Sequence, residues 1–232
     1  MSTEAHRPWA IRRVAVPGSR NDEAEVVALL DVVAREVEHD PYPAPTHTML
    51  RSCTLLLVAE GAAGMAGRPA PLLGYLAVHV PGLGRPGGGV FAVTEATIAS
   101  LAVRASFRGQ GIGRALVCDV FAALRDGAAE TAIRQRLANL GHPGDDDATN
   151  AAVAIATVRV QTLADRDSPA WSLYESTGFR TRRNLPRYYP PAAAADAQGG
   201  GTAAKRDAVE LVRQCGHDQD AGAEAAHRKK RS

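Results

Sequence analysis

The sequence holds few aromatic residues, three widely spaced cysteines, almost no net charge and no long apolar run. Each shortage excludes something. Cys53, Cys118 and Cys215 form no CxxC pair and have no histidine at ligand spacing, which argues against a zinc site and a disulfide framework. A reduced, intracellular setting fits that usage, and the reading is cytoplasmic. A formal charge of +2 gives no electrostatic case for nucleic acid or an acidic membrane surface. No run of about 18 apolar residues occurs, so no membrane span is expected. The segment MSTEAHRPWA lacks the apolar stretch of a secretory signal. The basic end, His227 to Ser232, reads as a solvated tail, with nuclear targeting the minority reading.

What is present is an ordinary globular composition, 45% hydrophobic over 232 residues, enough for one core with loops and tails. Periodicity places strands at 10–16, 54–60, 72–80, 91–103, 153–163, 179–183 and 207–212. Helical spacing marks 22–38 and a segment carrying Leu116, Val117, Val120, Phe121 and Leu124. A third helix, 169–176, has Ser168 as N-cap, Pro169 at its first position and Gly178 to end it. Prolines 41, 43 and 45 break the chain after the first helix. Residues 81–89 and 141–150 read as loops. The domain is predicted over 10–190 and 207–213. Residues 1–9 are predicted flexible, 191–206 a disordered insertion and 214–232 a disordered tail. The strand and helix order makes a mixed α/β sheet.

One segment carries chemistry. Ser100-Leu101-Ala102-Val103 runs into Arg108-Gly109-Gln110-Gly111-Ile112-Gly113-Arg114, so a strand turns through glycines onto a helix N-terminus. That terminus offers unpaired N–H groups and positive dipole to a diphosphate. Gly111 and Gly113 are expected to clear its approach, and Arg108 and Arg114 to add charge-assisted bonds. The Gly-Lys-Ser/Thr ending of a Walker loop is missing, and Leu116 stands where a dinucleotide fold has its third glycine.

Arg-x-x-Gly-x-Gly after such a strand, with Ala170-x-x-Leu173-Tyr174-x-x-x-Gly178-Phe179 about sixty residues on, resembles the GNAT acetyltransferases. Arg159-Val160-Gln161-Thr162, Leu185-Pro186-Arg187-Tyr188-Tyr189 and Asp207-Ala208-Val209 further resemble the NatE and NatF N-terminal acetyltransferases. The resemblance implies a mostly antiparallel central sheet with helices on both faces and a splay between its two central strands. It implies acetyl-CoA as co-substrate, no metal, and protein or peptide N-termini as partners, with an initiator Met followed by an apolar residue expected. It places the acetyl-CoA contacts at Leu101, Ala102, Val103, the 108–114 loop, Asp167 and Tyr174. Tyr174 would be the general acid, and Tyr42, Pro43, Tyr188 and Tyr189 would grip the peptide. NatF-like enzymes carry membrane-attaching amphipathic helices, but nothing after Val212 has a comparable apolar face. Contact with a ribosome or an auxiliary subunit is not readable.

The general base departs from the pattern. Thr97 and Arg159 stand where the resemblance has a tyrosine and a histidine, and neither takes a proton at neutral pH. Glu95, about 7 Å along the same strand and on the same face as Thr97, is the first replacement; His79 is the second. Magnitudes favour an α-amine, because its pKa lies roughly 2.5 units below that of lysine, so a lysine costs about 3.4 kcal/mol more to present as free base. The alternatives are a lysine or small-molecule acetyltransferase, or an acetyl-CoA-binding pseudoenzyme.

Overall fold

A computed structural model describes residues 8–14, 53–62, 70–80, 93–140, 153–189 and 206–215. Its strands are β1 (Trp9–Val14), β2 (Leu55–Gly61), β3 (Leu72–His79), β4 (Val93–Val103), β5 (Val153–Leu163), β6 (Arg180–Tyr189) and β7 (Arg206–Gln214). They form one seven-stranded sheet in the order β1-β2-β3-β4-β5-β7-β6. Only β4 and β5 run parallel; every other neighbouring pair is antiparallel. Parallel neighbours need a crossover, and α1 (Ile112–Arg125) with α2 (Ala128–Leu140) supplies it. The third described helix, α3 (Pro169–Ser176), leads from β5 to β6.

The described helices all pack on one face. Leu116, Val117 and Phe121 of α1, Ile133 of α2, and Trp171 and Tyr174 of α3 join Val158, Val160, Val209 and Leu211 in the main core. Phe179 is fully buried there, edge-on to both Phe121 and Tyr174, at ring distances of 5.9 and 5.5 Å. Burying one such side chain contributes about 1.5–3 kcal/mol. The opposite face has its own apolar patch, centred on Leu56, Val58, Tyr75 and Ala77 of β2 and β3, with Val14 of β1 beside it. Beyond β3 that face turns polar.

Local chemistry sets the helix ends. Asp126 closes α1 through its N–H to the Ala122 carbonyl, and its carboxylate accepts the Ala128 N–H to start α2. Ser168 Oγ accepts the Trp171 N–H, Pro169 follows, and Gly178 turns left-handed at φ 88° after α3. These are the predicted caps. Strand β6, expected to begin over 179–183, continues through Asn184 to Tyr189 along β7 as an exposed edge where Pro186 is tolerated. The helix α2 was not expected. Among its residues whose side chains are described, Ala129 and Ile133 are buried on the core side. The expected 22–38 helix, the 41–45 turn with Tyr42 and Pro43, the loops at 81–89 and 141–150, the 192–205 insertion and the tail from 216 lie outside the described residues.

Candidate active site

The site begins where two strands part. β4 and β5 pair in register as far as Ile98 and Val160. Beyond that, β4 continues beside β3 alone and β5 beside β7 alone. Ala77 pairs with Ser100 while Val78 pairs with Ile98, so Ala99 is an extra residue on β4, a bulge that bends the strand at the divergence.

Backbone alternation shows what lines the gap. The Arg104 N–H donates to the Leu73 carbonyl at 2.9 Å, so the amides of Ala102 and Ser100 also face β3. Those of Leu101 and Val103 therefore face the gap. On β5, the Ala156 carbonyl accepts from Cys215 and the Ala164 N–H donates to Asp207, which turns Gln161 and Leu163 gapward. Ala102, expected among the cofactor contacts, instead spends its amide on β3.

At the gap's mouth lies the glycine loop. Gly109 and Gly111 adopt φ of 78° and 80°, where other residues are strained, and a Cβ on either would meet nothing within 4 Å. The first intrahelical bond of α1 runs from the Ala115 N–H to the Gly111 carbonyl. The N–H groups of Ile112, Gly113 and Arg114 precede it and have no acceptor within the helix, and Gly111 has no side chain to cap them. Open space, three bare donors and a helix dipole together fit a diphosphate. At Gly113 a Cβ would meet Leu173 Cδ2 at 3.3 Å, so its small size also seats α1 against α3. Arg108 Nε donates to the Val103 carbonyl at 3.0 Å and so ties loop to strand, while Gln110 and Arg114 are exposed.

Of the remaining cofactor candidates, Tyr174 is buried in the main core and Asp167 is exposed in the turn between β5 and α3. Asp165 shapes that turn by accepting the Asp167 N–H. Tyr188 and Tyr189 come to the gap from the far side. Between Leu185 and Tyr189 strand β6 bulges against β7, with Arg187 at φ 53° and its N–H held by Asp207 Oδ1 at 2.8 Å. The bulge carries both rings, edge-on at 5.2 Å, back to Gln161. Tyr188 donates to the Gln161 side chain, and Tyr189 donates to its gap-facing carbonyl at 3.0 Å. Gln161 is the first β5 residue beyond the last β4 partner, so the tyrosine pair is anchored at the fork itself.

On the face away from the described helices, the pairing aligns His79, Thr97 and Arg159 in one row across β3, β4 and β5. Directly opposed residues on antiparallel strands put their Cβ atoms about 4.5–5.5 Å apart on one face, so His79 sits beside Thr97. Arg159 Nε donates to Thr97 Oγ1 at 2.7 Å, and its Nη1 lies 2.7 Å from Glu95 Oε1. Arg182 Nη1 reaches over from β6 to 3.5 Å from Glu95 Oε2. Both oxygens of the expected base thus face guanidinium groups. Arg182 also lies 3.6 Å from Glu210 Oε1, and Arg183 pairs with both Glu210 oxygens at 3.2 Å. Glu210 is completely buried, and its Oε1 has no aligned hydrogen bond. Sequence reasoning missed Arg182, Arg183 and Glu210 as site residues. The available signal was one acid inside the apolar run Ala208-Val209-Glu210-Leu211-Val212.

Residues 28–140 match the model of the Acetyltransferase (GNAT) family. No curated protein matches by sequence. Among solved structures, Arabidopsis thaliana NAA60 in complex with acetyl-CoA is 14% identical, with 89% of this chain and 98% of that chain covered and a TM-score of 0.52. The same protein with a bisubstrate analogue gives 15%, the same coverage and 0.50. The NatC complex bound to Gag peptide and CoA gives 14%, 90% and 99% coverage, and 0.52. At such identities the likeness speaks for the fold.

Proposed function

The chain belongs to the GNAT superfamily of acetyltransferases, and on that premise we propose that it acetylates the α-amine of protein or peptide N-termini, with acetyl-CoA as co-substrate. The observation that carries the reading is the fork between β4 and β5, with bare loop amides at its mouth and the Tyr188–Tyr189 pair fastened to its edge. The amides of Ile112, Gly113 and Arg114 would hold the diphosphate, and those of Leu101 and Val103 would line the pantetheine arm and receive the thioester carbonyl. Acetyl-CoA supplies an activated acyl group, so the protein's own tasks are to orient the amine, take its proton and exclude water.

For the proton, His79 is better placed than Glu95. His79 stands in the row of Thr97, on the face where Tyr75 and Ser100 share a hydrogen bond of 2.8 Å. An imidazole suits proton transfer near neutrality. Glu95 is assigned to hold Arg159 and Arg182. Tyr174 remains the candidate acid that protonates the departing thiolate. Peptide substrates agree with the tyrosine pair anchored at Gln161 beside the fork. An initiator Met followed by an apolar residue would need an apolar lining, whereas the described part of this face offers arginines.

The test is acetylation of a peptide with a free N-terminus and an internal lysine, read by fragment mass. Acetyl on the α-amine supports the reading, and acetyl on lysine alone overturns it. In the same assay His79→Gln is expected to lower kcat on the order of 100-fold, a general-base effect. A full rate in His79→Gln with loss in Glu95→Gln would return the role to Glu95.

A further inference from the structure

We infer that the acceptor carries a carboxylate close to its amine, and that Arg182 receives it. This rests on the acetyltransferase reading and names the substrate chemistry of that site. Strand β6 lies three strand spacings from β4, about 14 Å away. Arg182 nonetheless comes within 3.5 Å of Glu95, so the two side chains reach toward each other across the intervening strands, beside the Arg159 that Glu95 also holds. Its contacts with described residues are ion pairs of 3.5 and 3.6 Å to Glu95 and Glu210. Neither reaches hydrogen-bond distance for a charged pair. Arg159, by comparison, is engaged at 2.7 Å on two nitrogens. Arg182 therefore offers the fork of donors that matches a carboxylate, half exposed beside the fork of the strands.

The charge balance points the same way. Three guanidiniums, from Arg159, Arg182 and Arg183, meet two carboxylates, from Glu95 and Glu210. Among the described residues of this cluster one positive charge is left over, and it faces outward. The side chains of Arg182 and Arg183 are 52% and 59% exposed, while Glu210 is wholly enclosed beneath them. An amine arrives largely as an ammonium ion, which this surface repels unless the same molecule brings a negative charge. A carboxylate within the first two residues of a peptide satisfies that condition, and so does a free acidic amino acid.

The experiment uses the full chain loaded with CoA and measures acceptor binding by calorimetry, with turnover read in parallel using acetyl-CoA. The probes are peptides of one common tail beginning with Asp, Asn or Met-Leu, together with free glutamate and its diamide. The Asp peptide is expected to bind on the order of tenfold more tightly than the Asn peptide, as loss of a charged bidentate partner implies. In Arg182→Gln that ratio should fall to near one, whereas merely structural damage would weaken both peptides alike. Arg182→Lys, which keeps the charge without the fork, should retain part of the preference. Preference for glutamate over its diamide without a peptide preference would assign the site to free amino acids. Equal binding of every acid and amide pair overturns the proposal, and so does an unchanged ratio in Arg182→Gln. Correct binding ratios without turnover on any amine would instead sink the acetyl-transfer reading and leave this one standing.

Discussion

The two faces of this sheet follow different rules. Toward the described helices, β5 and β7 present Val158, Val160, Val209 and Leu211 to a packed aromatic and aliphatic layer. On the other face the same strands present Arg159, Gln161 and Glu210, joined by Glu95, Arg182 and Arg183. The first face obtains its stability from area removed from water, which is non-directional and tolerant of detail. The second depends on pairing among a few charges whose positions are fixed by strand register. That second face also carries a cost the first does not, because a buried carboxylate with one unsatisfied oxygen destabilises the fold.

Mutations can sharpen that contrast. Phe179→Ala, at the meeting point of Phe121 and Tyr174, should cost about 3–5 kcal/mol, seen as a lower denaturation midpoint. Glu210→Gln should cost less, about 1–3 kcal/mol, because Arg182 and Arg183 can turn to solvent when their partner loses its charge. If it proves as damaging as Phe179→Ala, the polar face is a structural core in its own right and the contrast fails.

The loop at the mouth gives a narrower comparison. Gly111→Ala places a side chain at φ 80°, expected to cost about 1–2 kcal/mol and to weaken CoA binding. Gly113→Ala gains helix propensity of about 1 kcal/mol, offset by the 3.3 Å approach to Leu173, so its stability should change by less than about 1 kcal/mol. Equal loss of CoA affinity in both would remove the distinction between them. The smallest effect concerns pH. Hydrogen bonds from Arg13 and from the Ala128 N–H hold the Asp126 carboxyl below its ordinary range. That stabilisation is present above the ordinary carboxylate pKa and is lost as pH falls through the lowered folded value. Asp126→Asn keeps the cap on α2 and removes the charge. Its slight deficit at neutral pH should therefore vanish in strong acid, as thermal melts at several pH values would report.

What the sequence revealed tracks how local the cause is. The bounds of β5 and α3 were readable because alternation, Ser168, Pro169 and Gly178 act within a few residues. The glycine loop was readable because its left-handed turns demand glycine at Gly109 and Gly111. The close packing of Leu173 on Gly113 was not readable, since α3 follows about sixty residues later. The Arg182–Glu210–Glu95 group was invisible because β7 inserts between β5 and β6, and no periodicity announces that order. Glu95 was read as a replacement base because its two arginine neighbours come from β5 and β6, distant in sequence.

The central claim is that the bare amides opening α1 hold the diphosphate of CoA. Calorimetric titration of the full chain with CoA tests it most directly, with Gly111→Val as the paired variant. Saturable binding by the native chain, weakened on the order of 100-fold when a branched side chain occupies the left-handed position, is the expected result. Absence of any binding heat and any thermal shift with CoA, or undiminished affinity in the variant, would contradict it.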